Sequence, residues 1–376
     1  MSTPFSETLP QPFQPTKEIE TPALVVDLDA MERNVANYAQ FADDHGVALR
    51  SHAKTHKVPA LAHYQNRATG GGIVCQTLGE AVVMAQSGIS DIYLSNVVVQ
   101  PSKLDRLVWI SERLDAFATT VDGPENARLL GDVAAERDAI VDAVLEIDLG
   151  YERTGVASTD RAVDLTEAIR ENPNLHFAGV MAFEAHVKAR ADSKGDYERL
   201  CAEAMDDLAA VVNRIEAAGV AVEEVKVGGT ATSKFSGKHP VVTEINPGMY
   251  VFNDVGELRE RSYELGVEDC ALRVLSTVVS KPAADRVVVN AGSKAIARDS
   301  SRAPLAPAYD GLDYDRSSEE HGWIDASACD ADLEVGDRIE WIPPHVCTTV
   351  NLYDTMVGVR DGHVEEVWEI SARGKH

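Results

Sequence analysis

The chain reads as an α/β protein, an N-terminal (β/α)8 TIM-type barrel followed by a C-terminal all-β domain. Three observations lead there. From Thr21 to about Asn253 short β-branched runs alternate with helical patterns, and eight such repeats suggest closure. Near-continuous apolar runs such as Val144-Leu145-Glu146-Ile147 suit parallel strands covered by helices, although a doubly wound open sheet would read similarly. After about Tyr263 strand patterns continue without helices between them. The expected divisions are an N-terminal arm over 1–20, a barrel over 21–262 and a β domain over 263–376.

The barrel strands read as Ala23 to Asp27, Val47 to Ser51, Gly72 to Gln76, Ile92 to Asn96, Ala116 to Val121, Ala143 to Asp148, Phe177 to Phe183 and Val225 to Gly228. Of the helices between them, Asp29 to His45 opens on an aspartate suited to N-capping, and Pro124 to Arg137 carries proline in its first turn. In the β domain the strands read as Leu272 to Ser280, Arg286 to Asn290, Arg338 to Ile342 and Met356 to Val359. Asp361-Gly362, set between Val357-Gly358-Val359 and Val364-Glu365-Glu366-Val367, is a strong hairpin-turn signal. The polar, proline-containing stretch from Asp299 to Gly322 reads as a long loop at a site or a subunit interface.

A length of 376 residues with 44% hydrophobic content supports a sizeable core. The net charge of -26 repels phosphate backbones and anionic lipids, which argues against nucleic acid and membrane partners. No apolar run approaches the roughly 18 residues of a membrane span, and the polar, proline-rich start lacks an apolar signal core, so a soluble cytoplasmic protein is expected. The five cysteines are scattered, with no CxxC pair, which points to reduced thiols. The acidity runs along the whole chain, as in salt-adapted proteins; a merely acidic mesophilic enzyme is the alternative.

Active sites of parallel barrels lie at the carboxyl ends of the strands. Arg50-Ser51-His52-Ala53-Lys54-Thr55-His56-Lys57 crowds five potentially cationic side chains into eight residues at such an end. Neighbouring cations lower a lysine's pKa and favour the free amine, which can attack a carbonyl to form a Schiff base. Lys54 is the candidate, against the alternative of a solvated basic patch or anion site. Gln76, Asn96, Asp148, Glu184 and His186 follow other strands. Gly228-Gly229-Thr230 offers backbone N–H groups and hydroxyls for a phosphate, or is a plain turn, and Pro247-Gly248-Met249-Tyr250 could add further amides. Arg153, in a glycine-flanked loop, either faces a cofactor ring or pairs with Glu152 or Asp148. In His345-Val346-Cys347 an extended backbone would put imidazole and thiol on one face, a donor set favouring zinc; a buried free cysteine beside a surface histidine is the alternative.

Together these motifs resemble the D-threonine aldolase and D-serine dehydratase group of fold-type III, alanine-racemase-like pyridoxal phosphate enzymes. The likeness covers nearly the whole chain, from Thr21-Pro22-Ala23-Leu24-Val25-Val26-Asp27 to Ser371-Ala372-Arg373-Gly374-Lys375. It implies that Lys54 carries pyridoxal phosphate, with Gln76 and Arg153 beside it and Gly229, Thr230, Gly248, Met249 and Tyr250 around its phosphate. It also implies that His345 and Cys347 bind a divalent metal, zinc ahead of manganese or magnesium, and that a homodimer shares its active sites across the interface. The substrate would be a D-amino acid bearing a β-hydroxyl.

His-x-Cys is the form the resemblance associates with dehydratases, where aldolases usually carry His-x-Asp. Phe183 stands where aldolase relatives have tyrosine. Both tilt the expectation toward dehydration, with retro-aldol cleavage as the alternative and His52, His56 and His186 as available bases. An amino-acid racemase and a non-catalytic pyridoxal phosphate carrier are the remaining readings; the metal pair and the β domain count against them.

Overall fold

A computed structural model describes residues 9–376, so the first eight residues of the expected arm lie outside the described residues. The chain divides into two compact units. One comprises Ala36–Lys54, Pro59–Tyr250 and Gly374–His376, the other the chain up to Val35, Thr55–Val58 and Val251–Arg373.

The first unit is built on a parallel sheet that closes on itself. Its order runs from Ala48–Leu49 through Glu244–Asn246, Val225–Gly228, Leu175–Phe183, Val141–Ile147, Ala116–Val121, Asp91–Leu94 and Ile73–Cys75 to Ser51–His52. The first and last pieces are one strand interrupted at Arg50, whose N–H still donates to the Ile245 carbonyl at 3.0 Å. Eight chain segments therefore make the barrel. Val74, Tyr93, Val144 and Met181, with Ala118 and Ala178 against them, fill part of its interior.

Seven of the eight strands are those the sequence pattern indicates, and the eighth differs. Glu244–Asn246 escapes a hydrophobicity reading because it is three residues long, and its Glu244 and Asn246 are both buried among polar partners. Glu244 accepts from Arg50 Nε at 3.0 Å, from Lys226 Nζ at 3.2 Å and from Asn246 Nδ2 at 2.9 Å. Arg50 also pairs with Asp91 and Lys226 with Glu224. This chain of ion pairs borders a cavity of about 390 Å³ at the amino ends of the strands, away from the expected site.

Ala23–Asp27, expected as the first barrel strand, belongs to the second unit. It pairs antiparallel with Leu272–Ala283 and parallel with Thr355–Arg360. An apolar strand followed by a helix looks the same in sequence whichever sheet it joins, and here Val25 packs with Ile19, Leu275, Val357 and Val364. The full order is Asp313–Ser317, Gly322–Asp325, Arg286–Val289, Leu272–Ala283, Ala23–Asp27, Thr355–Arg360, His363–Glu369, with Arg338–Trp341 also on Leu272–Ala283. Asp313–Ser317 is a strand inside the stretch expected to be loop.

The helix after Ala23–Asp27 starts at Leu28, so its cap is Asp27, whose Oδ1 accepts from Ala30 N at 3.0 Å, and not Asp29. Asp361 and Gly362 both have positive φ, 49° and 74°, the conformation of the tight turn the dipeptide announces. All five cysteines are free. Among the described residues no helix is long and apolar enough to cross a membrane.

Removing Glu244 strands Lys226, itself 1% exposed, with one carboxylate fewer. Glu244→Ala should cost on the order of 3–5 kcal/mol in urea unfolding. Burial raises the Glu244 carboxyl, but Arg50 and Lys226 outweigh it and hold it below its ordinary value. A depressed carboxylate stabilises above its unfolded pKa and loses that contribution as pH falls through the folded one, so the wild type's advantage should shrink on acidification. An equal urea midpoint for the two proteins at pH 7 would contradict this.

Candidate functional site

Lys54 sits in a short 3-10 turn, Ala53–Thr55, directly after Ser51–His52. Its Nζ donates to Gln76 Oε1 at 3.0 Å. Gln76 follows Ile73–Cys75 and is fixed by its own Nε2, which donates to the Ser95 carbonyl at 2.9 Å. His52 Nε2 lies 3.2 Å from the same Gln76 oxygen and 3.3 Å from Ser95 Oγ. Three strand ends thus converge on one amide.

The cationic run is divided between the two units. Arg50 is neutralised by Asp91 and Glu244, and His56 and Lys57 fall in the Thr55–Val58 segment that groups with the other unit. His56 Nδ1 accepts from Val58 N at 3.0 Å. Gln76 is an uncharged acceptor for the Lys54 amine.

Gly229 adopts φ +111°, and a Cβ there would lie 2.7 Å from Thr232 Oγ1, so the turn requires glycine. Tyr250 N donates to Thr230 Oγ1 at 3.2 Å and Tyr38 Oη to the Thr230 carbonyl at 2.8 Å. These bonds join the Gly228–Thr230 turn to Pro247–Tyr250, in which Gly248 is buried and Met249 half-buried. The Tyr250 hydroxyl turns away to Ser51 Oγ, 2.6 Å, and Gln65 Nε2, 3.0 Å. Ser233 Oγ, just beyond the turn, is buried with no hydrogen-bond partner. A glycine-built turn with an orphan hydroxyl beside it fits a phosphate.

Arg153 lies over the rings of Phe183 and Tyr151, at 5.0 and 5.3 Å. Its ionic partner is Glu146, at 3.6 Å, and neither Glu152 nor Asp148. Asp148 instead accepts from the N–H groups of Gly150, Tyr151 and Glu152, which makes it a loop brace. Glu184, at the end of Leu175–Phe183, is fully buried; Ser236 Oγ donates to it at 2.8 Å, and burial pushes it up to about 7. His186 follows in the turn Ala185–Ala189, half-buried, with Nδ1 lacking a partner; burial and then Arg190 pull it down.

In the other unit His345 is extended, but the chain turns helical at Val346, so the segment through Cys347 is not. His345 is the N-cap of a short helix, Val346–Val350, which carries Cys347 in its first turn. Asp299 Oδ2 lies 2.7 Å from His345 Nδ1, while its Oδ1 accepts from Thr348 Oγ1 at 2.9 Å. Thr55 Oγ1 is 3.5 Å from Cys347 Sγ. Burial lowers the imidazole pKa, but Cys347 and then Asp299 outweigh it and raise it to about 9. Among the described residues no group of three or more His, Cys, Asp or Glu is arranged around one metal position. A metal on this pair would keep positions open for water or substrate oxygen. Asp299 enters the sequence reading only as the start of a loop expected at a site, and Ser95 not at all, because neither belongs to a motif and each acts on a residue distant in the chain.

Residues 26–255 match the alanine racemase N-terminal domain, and residues 271–359 a putative serine dehydratase domain. A D-threonine aldolase of Arthrobacter sp is 35% identical over 366 residues, covering 97% of this chain and 95% of that protein. The D-threo-3-hydroxyaspartate dehydratase of Delftia sp. (strain HT23) is 29% identical over 380 residues, covering 93% and 97%. Structures of two mutants of a D-threo-3-hydroxyaspartate dehydratase replace a histidine and, two positions on, a cysteine by alanine, the latter in a metal-free form. A D-threonine aldolase from Filomicrobium marinum superposes with a TM-score of 0.90 at 33% identity, covering 97% of this chain and 98% of that one. The chain belongs to the alanine-racemase-like family of pyridoxal phosphate enzymes that includes the D-threonine aldolases and D-serine dehydratases.

Proposed function

We propose that the chain is a pyridoxal phosphate- and divalent-metal-dependent lyase of D-β-hydroxy amino acids, and that it eliminates water from them. The observation that carries the choice is that His345 and Cys347 stand two residues apart at one helix start, the residue types and spacing altered in the dehydratase mutants. A retro-aldol cleavage is the second reading, favoured by the higher full-length identity to a D-threonine aldolase, 35% against 29%.

Lys54 is the residue to hold the cofactor carbonyl, with Gln76 setting the direction of its amine. Gly229, Thr230, Gly248, Met249 and Tyr250 would surround the phosphate, and Arg153, held over Phe183, would lie near the ring. When bound, the cofactor delocalises charge from the α-carbon, and a divalent cation acts as a Lewis acid on the β-oxygen. Lys54, once released, takes the α-proton. His52, whose Nε2 lies 3.2 Å from the same Gln76 oxygen, and His186 are the other available bases. Thiolate with imidazole favours zinc over manganese or magnesium. A homodimer with shared active sites, a cytoplasmic location and salt adaptation of the -26 surface complete the proposal.

Incubated separately with D-serine, D-threonine and D-3-hydroxyaspartate, the enzyme should release ammonia and a keto acid, and a chelator should abolish release. Glycine and an aldehyde without ammonia would replace elimination by retro-aldol cleavage, and turnover unaffected by chelator would remove the metal from the chemistry. Lys54→Ala should lose the visible absorbance of bound cofactor along with turnover; persistence of that absorbance would refute the assignment. Raising KCl from 0.1 M to about 2 M should raise the thermal midpoint by several degrees if the acidic surface is salt-adapted, whereas an unchanged midpoint would point to an ordinary acidic enzyme.

A further inference from the structure

His345 and Cys347 lie on a five-residue helix start, too short to hold its own geometry. Two carboxylates reach it from elsewhere in the same unit. Asp254, 1% exposed, caps the helix Val255–Glu260 through Oδ1, which accepts from Glu257 N at 2.9 Å. Its Oδ2 accepts from Val346 N at 3.0 Å, the backbone group between the two ligands. Val255 N donates to the Pro343 carbonyl at 3.1 Å, so the two strands of chain run together just before the pair. Gly256 keeps Asp254 within reach, since a Cβ there would lie 2.9 Å from Asp254 Oδ1.

Asp299 acts on the ring instead. Its Oδ2 at His345 Nδ1 and its Oδ1 at Thr348 Oγ1 fix the imidazole plane and engage one ring nitrogen, which leaves Nε2 to the metal. We propose that Asp254 and Asp299 are positioning residues for the metal pair, Asp254 setting the backbone between the ligands and Asp299 the tautomer and orientation of His345. This rests on the metal reading above. Neither residue touches metal or substrate: each acts through His345-Val346-Cys347. Glutamine-like neutrality at Asp254 would not suffice, because one amide oxygen cannot serve two N–H groups lying on different segments as well as a carboxylate's two oxygens do.

The test is Co²⁺ titration of the full chain stripped of metal, read by the thiolate-to-cobalt charge-transfer band and the ligand-field bands. Wild type, His345→Ala, Asp254→Asn and Asp299→Asn are compared, with far-UV circular dichroism and the thermal midpoint as folding controls. Wild type should bind with a charge-transfer band that His345→Ala weakens or removes. Asp254→Asn and Asp299→Asn should each weaken Co²⁺ binding by about 10–100-fold, and Asp299→Asn should also alter the ligand-field bands. Asp299 is exposed, so its variant should fold even if Asp254→Asn does not. Absence of a charge-transfer band in wild type would overturn the metal reading itself. A wild type that binds normally, with both variants folded and within twofold of its affinity, would overturn the positioning roles and leave the metal reading standing.

Discussion

Closure of the barrel depends on Glu244. Its strand is three residues long, and two of the three are polar, so hydrophobic burial alone contributes little to seating it. The buried carboxylate between Arg50 and Lys226 does so instead, and Arg50 belongs to the strand on which the sheet begins and ends. A buried charge with its partners in place is tolerated, and one left alone is not, which makes this register hard to shift. Ser51–His52 is set by that register, and Lys54 emerges one short turn beyond it.

From there the amide of Gln76 does most of the local organising. It receives Lys54, stands beside His52 and is itself tied to Ser95, so the lysine amine has a direction before any cofactor arrives. The Gly229 turn and the Pro247–Tyr250 segment are joined through Thr230, whose carbonyl accepts from Tyr38 Oη and whose Oγ1 accepts from Tyr250 N. The candidate metal pair follows a different plan. His345 and Cys347 come from one helix start, and the carboxylates that brace it are Asp299 and Asp254, 46 and 92 residues away in the chain.

Much of this could be read from the sequence, for identifiable reasons. Strands such as Val141–Ile147 and Leu175–Phe183 announce themselves by apolar content, and Asp361-Gly362 by the positive φ both residues require. Lys54, Gly229 and the His345–Cys347 spacing are local patterns. Glu244–Asn246 and Asp313–Ser317 were hidden because their burial is polar or their pattern is charged, so periodicity has nothing to register. Ala23–Asp27 shows the limit of local reading, since its partners lie some 250 residues and more downstream. The cationic run shows the same limit, since adjacency in sequence says nothing about Arg50 pairing with Asp91 and Glu244.

The central claim is that Lys54, and no other lysine, anchors pyridoxal phosphate. Borohydride reduction of the cofactor-loaded protein followed by peptide mass spectrometry tests it most directly. A pyridoxyl adduct confined to the peptide containing Lys54 is the predicted result, and an adduct on a different lysine, with Lys54 unmodified, would contradict it.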